Sequence, residues 1–432
     1  MSRKNFKGGI HPLAHKELSE NAPIEMMSVV STVAIPVAQH IGKPAIPIVA
    51  KGDKVKKGQL IASADGVISA NIYSSVSGEV TDIVVKPTPT GACSHIVIAN
   101  DGLEEEERLT VIENPDQNSI RERLAVAGIV GMGGAGFPTA VKVSPKTPAE
   151  CLLINGAECE PYVTCDTRVM VEKTAEFVDG VKLLMTASGV NKGYIAIEDN
   201  KSQAIESVKK FIEENEIEGV EVVSLKTRYP QGSEKHIIKS VTGKTVRIGS
   251  LPSSVGVIVD NVHTALSTHY AVREGKPLYE RVTTVTGGGI NQPKNLWIKT
   301  GTSYADLIAH CGGEKDNVIK LISGGPMMGF AVSGADYSAT KTTGCVLLLT
   351  SSEAETPKPG PCINCGRCQS VCPMRLMPMF IDACAQSGDL DGAVKYGLNG
   401  CIECGSCSYV CPAKRTLVQS FKLAKKKLRE RK

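Results

Sequence analysis

Cys362-Ile-Asn-Cys365-Gly-Arg-Cys368-Gln-Ser-Val-Cys372-Pro373 and Cys401-Ile-Glu-Cys404-Gly-Ser-Cys407-Ser-Tyr-Val-Cys411-Pro412 are one pattern written twice. Each follows C-x2-C-x2-C-x3-C-P, the spacing of bacterial two-cluster iron–sulfur domains. Three thiolates at three-residue intervals wrap one cubane, and the fourth, a helical turn later, points to the other. The spacing therefore predicts one [4Fe–4S] cluster on Cys362, Cys365, Cys368 and Cys411, and a second on Cys401, Cys404, Cys407 and Cys372. Gly366 and Gly405 let backbone amides approach sulfur. Zinc is the competing reading, but a zinc ribbon takes two C-x2-C pairs, not runs of four ending before proline. The runs lie about 39 residues apart, and the insert from Met374 to Asn399 reads as two helices with Cys384 as a buried thiol.

The rest of the chain must be large. Its 432 residues exceed one compact core and point to several domains. Hydrophobic residues make up 42%, too many for a disordered chain, while aromatics at 4% with a single Trp297 argue against a base-stacking nucleic-acid binder. Charge is nearly balanced, with 49 basic and 45 acidic side chains, so no polyanionic partner is demanded. No apolar leader follows Met1, and no apolar run of membrane-spanning length exists. Metal-type cysteine spacing then predicts a reducing, cytoplasmic setting.

Upstream of the cysteines the periodicity changes several times. Residues 1–27 read as an irregular arm. From 28 to 100, short β-type runs broken by Gly and Pro predict a β-sandwich. Two of its pieces, Val49–Leu60 and Ser74–Val80, resemble the hammerhead fold of lipoyl and biotinyl carriers. The span Ile61–Tyr73 holds no lysine for a carrier tip, which favours a structural or docking module. Between 119 and 274, strand-like Cys151–Asn155, Tyr194–Ile197 and Glu221–Leu225 alternate with helical spacing over Val169–Thr186, Lys201–Asn215 and Gln231–Val241. That alternation predicts an α/β layer fold with a parallel sheet. Residues 281–351 form another β-rich unit of β-grasp size with a helix around Ser303–Cys311. Thr356–Pro361 is a proline-rich linker.

Clusters move single electrons, so a donor of electron pairs needs a converter, and flavin is the usual one. The candidate seat is Gly131-Met-Gly133-Gly134-Ala-Gly136-Phe137-Pro138-Thr-Ala-Val-Lys142. Glycines let backbone amides close on phosphate, Pro138 can open a helix facing it, and Lys142 adds a cation. The G-x-G-x-x-G match is weak alone, since a structural turn satisfies it equally. Asn155-Gly-Ala-Glu158-Cys159-Glu160-Pro161 adds a polar group and two carboxylates at a strand's C-terminal end, where α/β sheets bind ligands; a solvated loop is the alternative.

These stretches, with Phe6–Pro12, Gln39–Gly42, Thr286–Gly289 and Ser323–Gly329, resemble the RnfC family, a component of the Rnf complex, the ion-translocating ferredoxin:NAD+ oxidoreductase of bacterial membranes. The middle region is similar to the NADH-oxidising flavoprotein subunit of respiratory complex I. The resemblance implies a multidomain α/β protein: a hammerhead-like β-sandwich (28–100), a Rossmann-like FMN/NAD domain (119–274), a β-grasp-like SLBB domain (281–351), a helical ferredoxin-like domain with two clusters (357–413), and a basic C-terminal helix (414–432). It implies FMN contacts from Gly133, Gly134, Lys142, Asn155, Glu158, Gly232, Glu234 and Asn261, with Phe137 stacking on NAD(H) and Glu160 bonding it. The chain departs from the complex I pattern at Ala157, Ser233, Lys235 and Lys244–Arg247.

The implied role is a peripheral subunit on the cytoplasmic side of the membrane. It would exchange electrons among NADH, FMN and the clusters, working with integral and flavin-bearing Rnf subunits and, through the complex, with ferredoxin. Nucleic acid is not an expected partner. A cobalamin-reducing flavoprotein of a diol-degrading microcompartment, or an iron–sulfur carrier without flavin, are the alternatives. Leu417, Phe421, Ala424 and Leu428 form one stripe on a tail with seven basic residues between Lys422 and Lys432. That tail suits a membrane surface, an acidic partner or plain solvent.

Overall fold

The computed structural model describes residues 5–354 and 358–431; the first four residues of the expected arm, the Thr356–Pro357 start of the expected linker and Lys432 lie outside them. The arm is less irregular than its sequence suggests. It carries β1 (Ile24–Met26), which pairs in parallel with a strand some 270 residues downstream, a non-local partner that no local pattern announces.

Residues 28–100 form two small sheets packed face to face. One holds β2 (Thr32–Pro36), β4 (Lys54–Val55), β7 (Gly78–Thr88) and β8 (Gly91–Asn100) in the order β2-β8-β7-β4; the other holds β3 (Ile46–Pro47), β5 (Leu60–Ser63) and β6 (Ile72–Tyr73). Alternate residues, among them Val33, Ile35, Val80, Ile96 and Ile98, face inward and exclude water.

The central domain begins with α1 (Gln117–Val126), and α2 (Thr139–Lys142) follows the glycine loop. Its sheet contains β9 (Cys151–Gly156), β10 (Gly193–Glu198), β11 (Val220–Leu225) and β12 (Val257–Asn261), all parallel, ordered β11-β10-β9-β12. Leu152, Leu153 and Ile154 are fully buried, as expected for strands covered on both faces. The helical run expected over Val169–Thr186 breaks at Lys173 into α3 (Cys165–Glu172) and α4 (Thr174–Ser188). Then come α5 (Ser202–Glu214), α6 (Glu234–Thr242) and α7 (Val262–Arg273). The chain runs outward from β9 to β10 to β11, then returns to β12 on the other flank of β9. This reversal opens a crevice at the C-terminal ends of β9 and β12.

The next sheet places β13 (Glu280–Thr286) between β14 (Lys294–Lys299), antiparallel, and β17 (Cys345–Thr350), parallel; β15 (Val318–Ser323) and β16 (Phe330–Val332) extend it, and α8 (Tyr304–His310) covers it. β1 closes the far edge. In the cysteine domain, one-turn helices α9 (Arg367–Ser370) and α12 (Ser406–Tyr409) span the third-cysteine positions. The insert supplies α10 (Pro378–Ser387) and α11 (Leu390–Lys395), and α13 (Leu417–Glu430) ends the domain. Cys384 is half-buried, not fully buried as expected, because it lies at the edge of the insert's packing. Leu417, Phe421 and Ala424 are buried against α10 and α11 and Leu428 packs on them, so the tail's apolar stripe serves its own domain. Among the described residues no helix is long and apolar enough to cross a membrane.

Candidate flavin and iron–sulfur sites

Asn155 and Asn261 are register partners on β9 and β12, at the mouth of the crevice. Asn155 Nδ2 donates to Gly232 O at 2.7 Å, and Gly232 N donates to Cys159 Sγ at 3.3 Å, which ties the strand end to the loop before α6. Asn261 caps α7, its Oδ1 accepting from His263 N at 2.9 Å. Its Nδ2 donates to Asp166 Oδ2 at 2.8 Å. The glycine loop lies over it: a Cβ on Gly133 would sit 2.9 Å from Asn261 Nδ2, so a side chain there would displace the asparagine.

The loop itself is a tight hairpin. Gly131 N donates to Phe137 O at 2.8 Å, Thr139 N to Ile129 O at 3.0 Å, and Met132 N to Thr264 Oγ1 at 3.0 Å. The amides at its two ends are therefore taken, and Gly133, Gly134 and Ala135 at the exposed tip are the ones left for a ligand. Pro138 opens a single helical turn, at whose end Lys142 stands. Phe137 is half-buried at the tip's base.

Lys142 turns beneath the loop. Its Nζ donates to Val259 O at 2.9 Å and lies 3.5 Å from Asp260 Oδ1. Asp260 is buried, and neither carboxylate oxygen has a hydrogen-bond partner among the described residues. Burial pushes its pKa up, with Lys142 opposing. Glu234 at the start of α6 is raised likewise by burial, with Lys142 again opposing. One cation thus faces the enclosed Asp260 and the surface carboxylate of Glu234 beside exposed glycines, a polar set left incomplete by the protein's own hydrogen bonds. The hydroxyl- and phosphate-rich chain of a flavin mononucleotide fits such a set.

Both strand-end carboxylates are engaged elsewhere. Glu158, at φ 42°, accepts from Asp166 N at 2.7 Å and Thr167 Oγ1 at 2.5 Å, capping α3. Glu160 Oε2 accepts from Met327 N at 3.1 Å, in the Ser323–Gly329 loop of the β-grasp unit. Burial raises Glu160 to about 7, with Met327's amide working against it. Lys16 reaches in from the arm to donate to Glu160 O at 3.0 Å.

Several of these groups carry no sequence signature. Asp260, Asp166, His263 and Tyr229 each lie in a run that matches no motif. Cys165, Asp166 and His263 bring donor atoms within 4.8 Å of one another. Hydrogen bonds already engage them: His263 Nδ1 lies 2.6 Å from Asp166 Oδ1, and Cys165 Sγ donates to Gly344 O at 3.3 Å.

The cysteines sort into two sets. Cys362, Cys365, Cys368 and Cys411 line one small cavity. Burial raises the Cys407 thiol, and the thiols of Cys401, Cys404 and Cys372 beside it raise it further. The backbone repeats between runs: φ is positive at Asn364 and Glu403, at Gly366 and Gly405, and at Arg375 and Lys414. Such left-handed residues turn successive amides toward one concavity, which suits an anionic cluster. Cys362 and Cys365 are exposed, whereas Cys404 and Cys407 are buried. Tyr229 Oη donates to Cys404 O at 2.7 Å, so the buried set abuts the segment leading to Gly232.

A parallel sheet with a glycine loop at its switch point, joined to two ferredoxin-like cysteine sets, defines an iron–sulfur flavoprotein that transfers electrons. Family models agree by segment. The RnfC barrel sandwich hybrid domain matches residues 4–103, the Nuo51 FMN-binding domain 124–269, the SLBB domain 282–331 and the 4Fe-4S dicluster domain 361–415. The chain is 47% identical to the C component of the proton-translocating ferredoxin:NAD(+) oxidoreductase complex of Clostridium ljungdahlii, over 98% of this chain and 93% of that one. It is 45% identical to the C component of the ion-translocating oxidoreductase complex of Rhodobacter capsulatus (99% and 84% covered). It is 42% identical to the C component of the Na(+)-translocating ferredoxin:NAD(+) oxidoreductase complex of Acetobacterium woodii (98% and 97%). The chain belongs to the RnfC family, the C components of these ion-translocating complexes. An NAD+-reducing [NiFe]-hydrogenase in its H2-reduced state shares the fold, with a TM-score of 0.50 at 17% identity over 72% of this chain and 64% of that one. Membership in this family displaces the cobalamin-reducing reading, and the FMN-binding match displaces the flavin-free carrier.

Proposed function

We propose that the chain exchanges electron pairs with NAD(H) at the crevice between β9 and β12 and relays single electrons through its two cysteine sets to other subunits of an Rnf complex. The proposed setting is the cytoplasmic side of the membrane, with integral and flavin-bearing subunits as neighbours and ferredoxin as the complex's distant partner. Bound FMN would exchange a hydride with nicotinamide and single electrons with the clusters.

The chain's residues divide the remaining work. The exposed tip around Gly133–Gly134, with Gly131 fixing the hairpin, admits the flavin closely. Lys142 and Glu234 meet its polar chain, with the buried Asp260 holding Lys142 from behind, and Asn155, Asn261 and Gly232 hold the crevice mouth. Glu158 acts at one remove: it caps α3, which carries Asp166, which orients Asn261. Phe137 would stack on NAD(H), as the family resemblance implies. Glu160 stands at the nucleotide end by family resemblance, and its tie to Met327 couples that end to the β-grasp unit. The buried set, Cys372, Cys401, Cys404 and Cys407, holds the cluster nearer the flavin. Cys362, Cys365, Cys368 and Cys411 hold the one that meets partners, since two of those thiols are exposed.

The observation that carries this reading is the short path from Gly232, bonded to Asn155 and Cys159, back three residues to Tyr229, whose hydroxyl bonds Cys404 O. It joins the crevice to a cysteine set. The test is NADH-dependent ferricyanide reduction by the full chain reconstituted with FMN and iron–sulfur clusters. Activity that depends on added FMN and falls in Lys142→Ala supports the reading. A fully loaded chain that leaves NADH unoxidised contradicts it.

A further inference from the structure

The arm threads between the central domain and the cysteine domain. Gly9 N donates to Val371 O at 2.7 Å; Ile10 N donates to Tyr229 O at 2.8 Å, and Tyr229 N donates back to Ile10 O at 2.9 Å. Gly8 and Gly9 have φ of 83° and 81°, a region that side chains rarely enter. Space forbids one as well: a Cβ on Gly8 would lie 2.7 Å from Cys372 O, and one on Gly9 would lie 2.6 Å from Tyr229 O. Phe6 anchors the thread. Its ring lies 4.9 Å under the Arg228 guanidinium and 4.6 Å from the His236 ring, while Arg228 Nη1 donates to Phe6 O at 3.0 Å. His236 Nε2 is in turn 3.2 Å from Pro373 O.

Tyr229 is the hub. It is 2% exposed, its backbone holds the arm, and its hydroxyl holds Cys404 O. The arm holds the carbonyl of Val371, next to Cys372. Both grips fall on one cysteine set.

We infer that Gly8, Gly9 and Tyr229 form a clasp that positions the Cys372/Cys401/Cys404/Cys407 centre against the flavin crevice. The inference rests on the proposed function for its purpose, but not for its geometry. These residues touch neither substrate nor reacting atoms; they are positioning residues, acting through the carbonyls of Cys404 and of Val371, the residue before Cys372. The two glycines are needed because a strand bearing side chains could not pass between Tyr229 and Cys372.

The experiment uses the full chain loaded with FMN and both clusters, with Gly9→Ala and Tyr229→Phe as variants and exposed Lys7→Ala and His11→Ala as controls. Two readouts need no turnover: amide hydrogen exchange at Ile10 and Tyr229, and the electron paramagnetic resonance line shape of the reduced clusters. A third is the rate at which NAD+ reoxidises photoreduced clusters. Gly9→Ala is expected to speed exchange at both amides by about tenfold or more. Both variants are expected to change the line shape of one cluster and not the other, and to slow reoxidation about tenfold or more, since small misplacements at reacting centres are costly in rate. Iron and flavin contents stay at wild-type levels, and the controls match wild type throughout. Wild-type exchange, line shape and reoxidation in both variants would overturn the clasp. If Gly9→Ala does not fold, Tyr229→Phe decides alone, because it keeps the ring and the backbone. If NAD+ fails to reoxidise even the wild type, the functional reading falls, while exchange and line shape still decide the clasp.

Discussion

Lys142→Met isolates one ion pair whose energetics the structure makes unusual. Lys142 Nζ is 3.5 Å from Asp260 Oδ1, with the lysine side chain 23% exposed and the aspartate side chain fully enclosed. Removing one partner of a buried pair leaves an uncompensated charge and costs about 3–5 kcal/mol. Partial exposure of Lys142 places the expected loss near the lower figure. Asp260 can relieve the penalty by taking a proton, because burial already holds its pKa above the ordinary carboxylate value. For an acid raised in the folded state, stability is intact below the unfolded pKa and declines as pH rises toward the folded one. Without Lys142 that decline steepens and extends to higher pH. The variant should therefore lose little at pH near 5 and about 3 kcal/mol near pH 8, or about 6–12 °C in the midpoint of a domain this size. Calorimetry of the flavin-free chain at both pH values provides the assay, and Asp260→Asn in the Lys142→Met background should recover most of the loss. Equal losses at both pH values, or a double variant no better than the single, would refute the pair's assigned role.

Three further outcomes follow from the same geometry. Glu160 is raised to about 7 chiefly by burial, so wild type should lose stability as pH climbs from about 4.5 to about 7; the melting-point difference of Glu160→Gln over wild type should grow across that window and level off above it, and a flat difference would contradict the burial argument. Phe421→Ala should loosen the cluster domain by about 3–5 kcal/mol, seen as iron loss on mild warming, whereas Lys426→Glu should not, because Phe421 is 1% exposed and Lys426 lies on the solvent side. Cys372→Ser should erase the same resonance signal as Cys404→Ser, and Cys411→Ser the same as Cys362→Ser, each lowering iron from about eight to about four per chain; a Cys372→Ser spectrum matching Cys362→Ser would break the crossed pairing.

The cysteine runs were legible because their chemistry is local: the spacing alone marks each run as a set of cluster ligands. The strands and helices of the central domain were legible from period, since β9 is apolar throughout most of its length and α5 buries Ala204 and Val208 on one face. β12 and α7 escaped because Val257–Asn261 runs into its helix without a turn signal, Asn261 serving as last strand residue and cap together. Losing β12 hid the switch point, and with it the pairing of Asn155 with Asn261. The helix break at Lys173 carries neither proline nor glycine. Glu158 and Glu160 stand out in the sequence, but a sequence cannot say that one caps α3 and the other reaches the loop at Met327. The arm showed least, because the strand it adds and the groups that clasp it against the cysteine domain lie far away in the chain.

Most direct for the central claim is a single-turnover measurement on the full chain carrying FMN and both clusters. The clusters are reduced by light under argon and the protein is then mixed with NAD+ alone. The account predicts that NADH forms as the clusters reoxidise, one nicotinamide for about every two electrons, and that omitting FMN abolishes both changes. Reduced clusters that persist beside NAD+ in a flavin-replete chain, with no NADH formed, would contradict it.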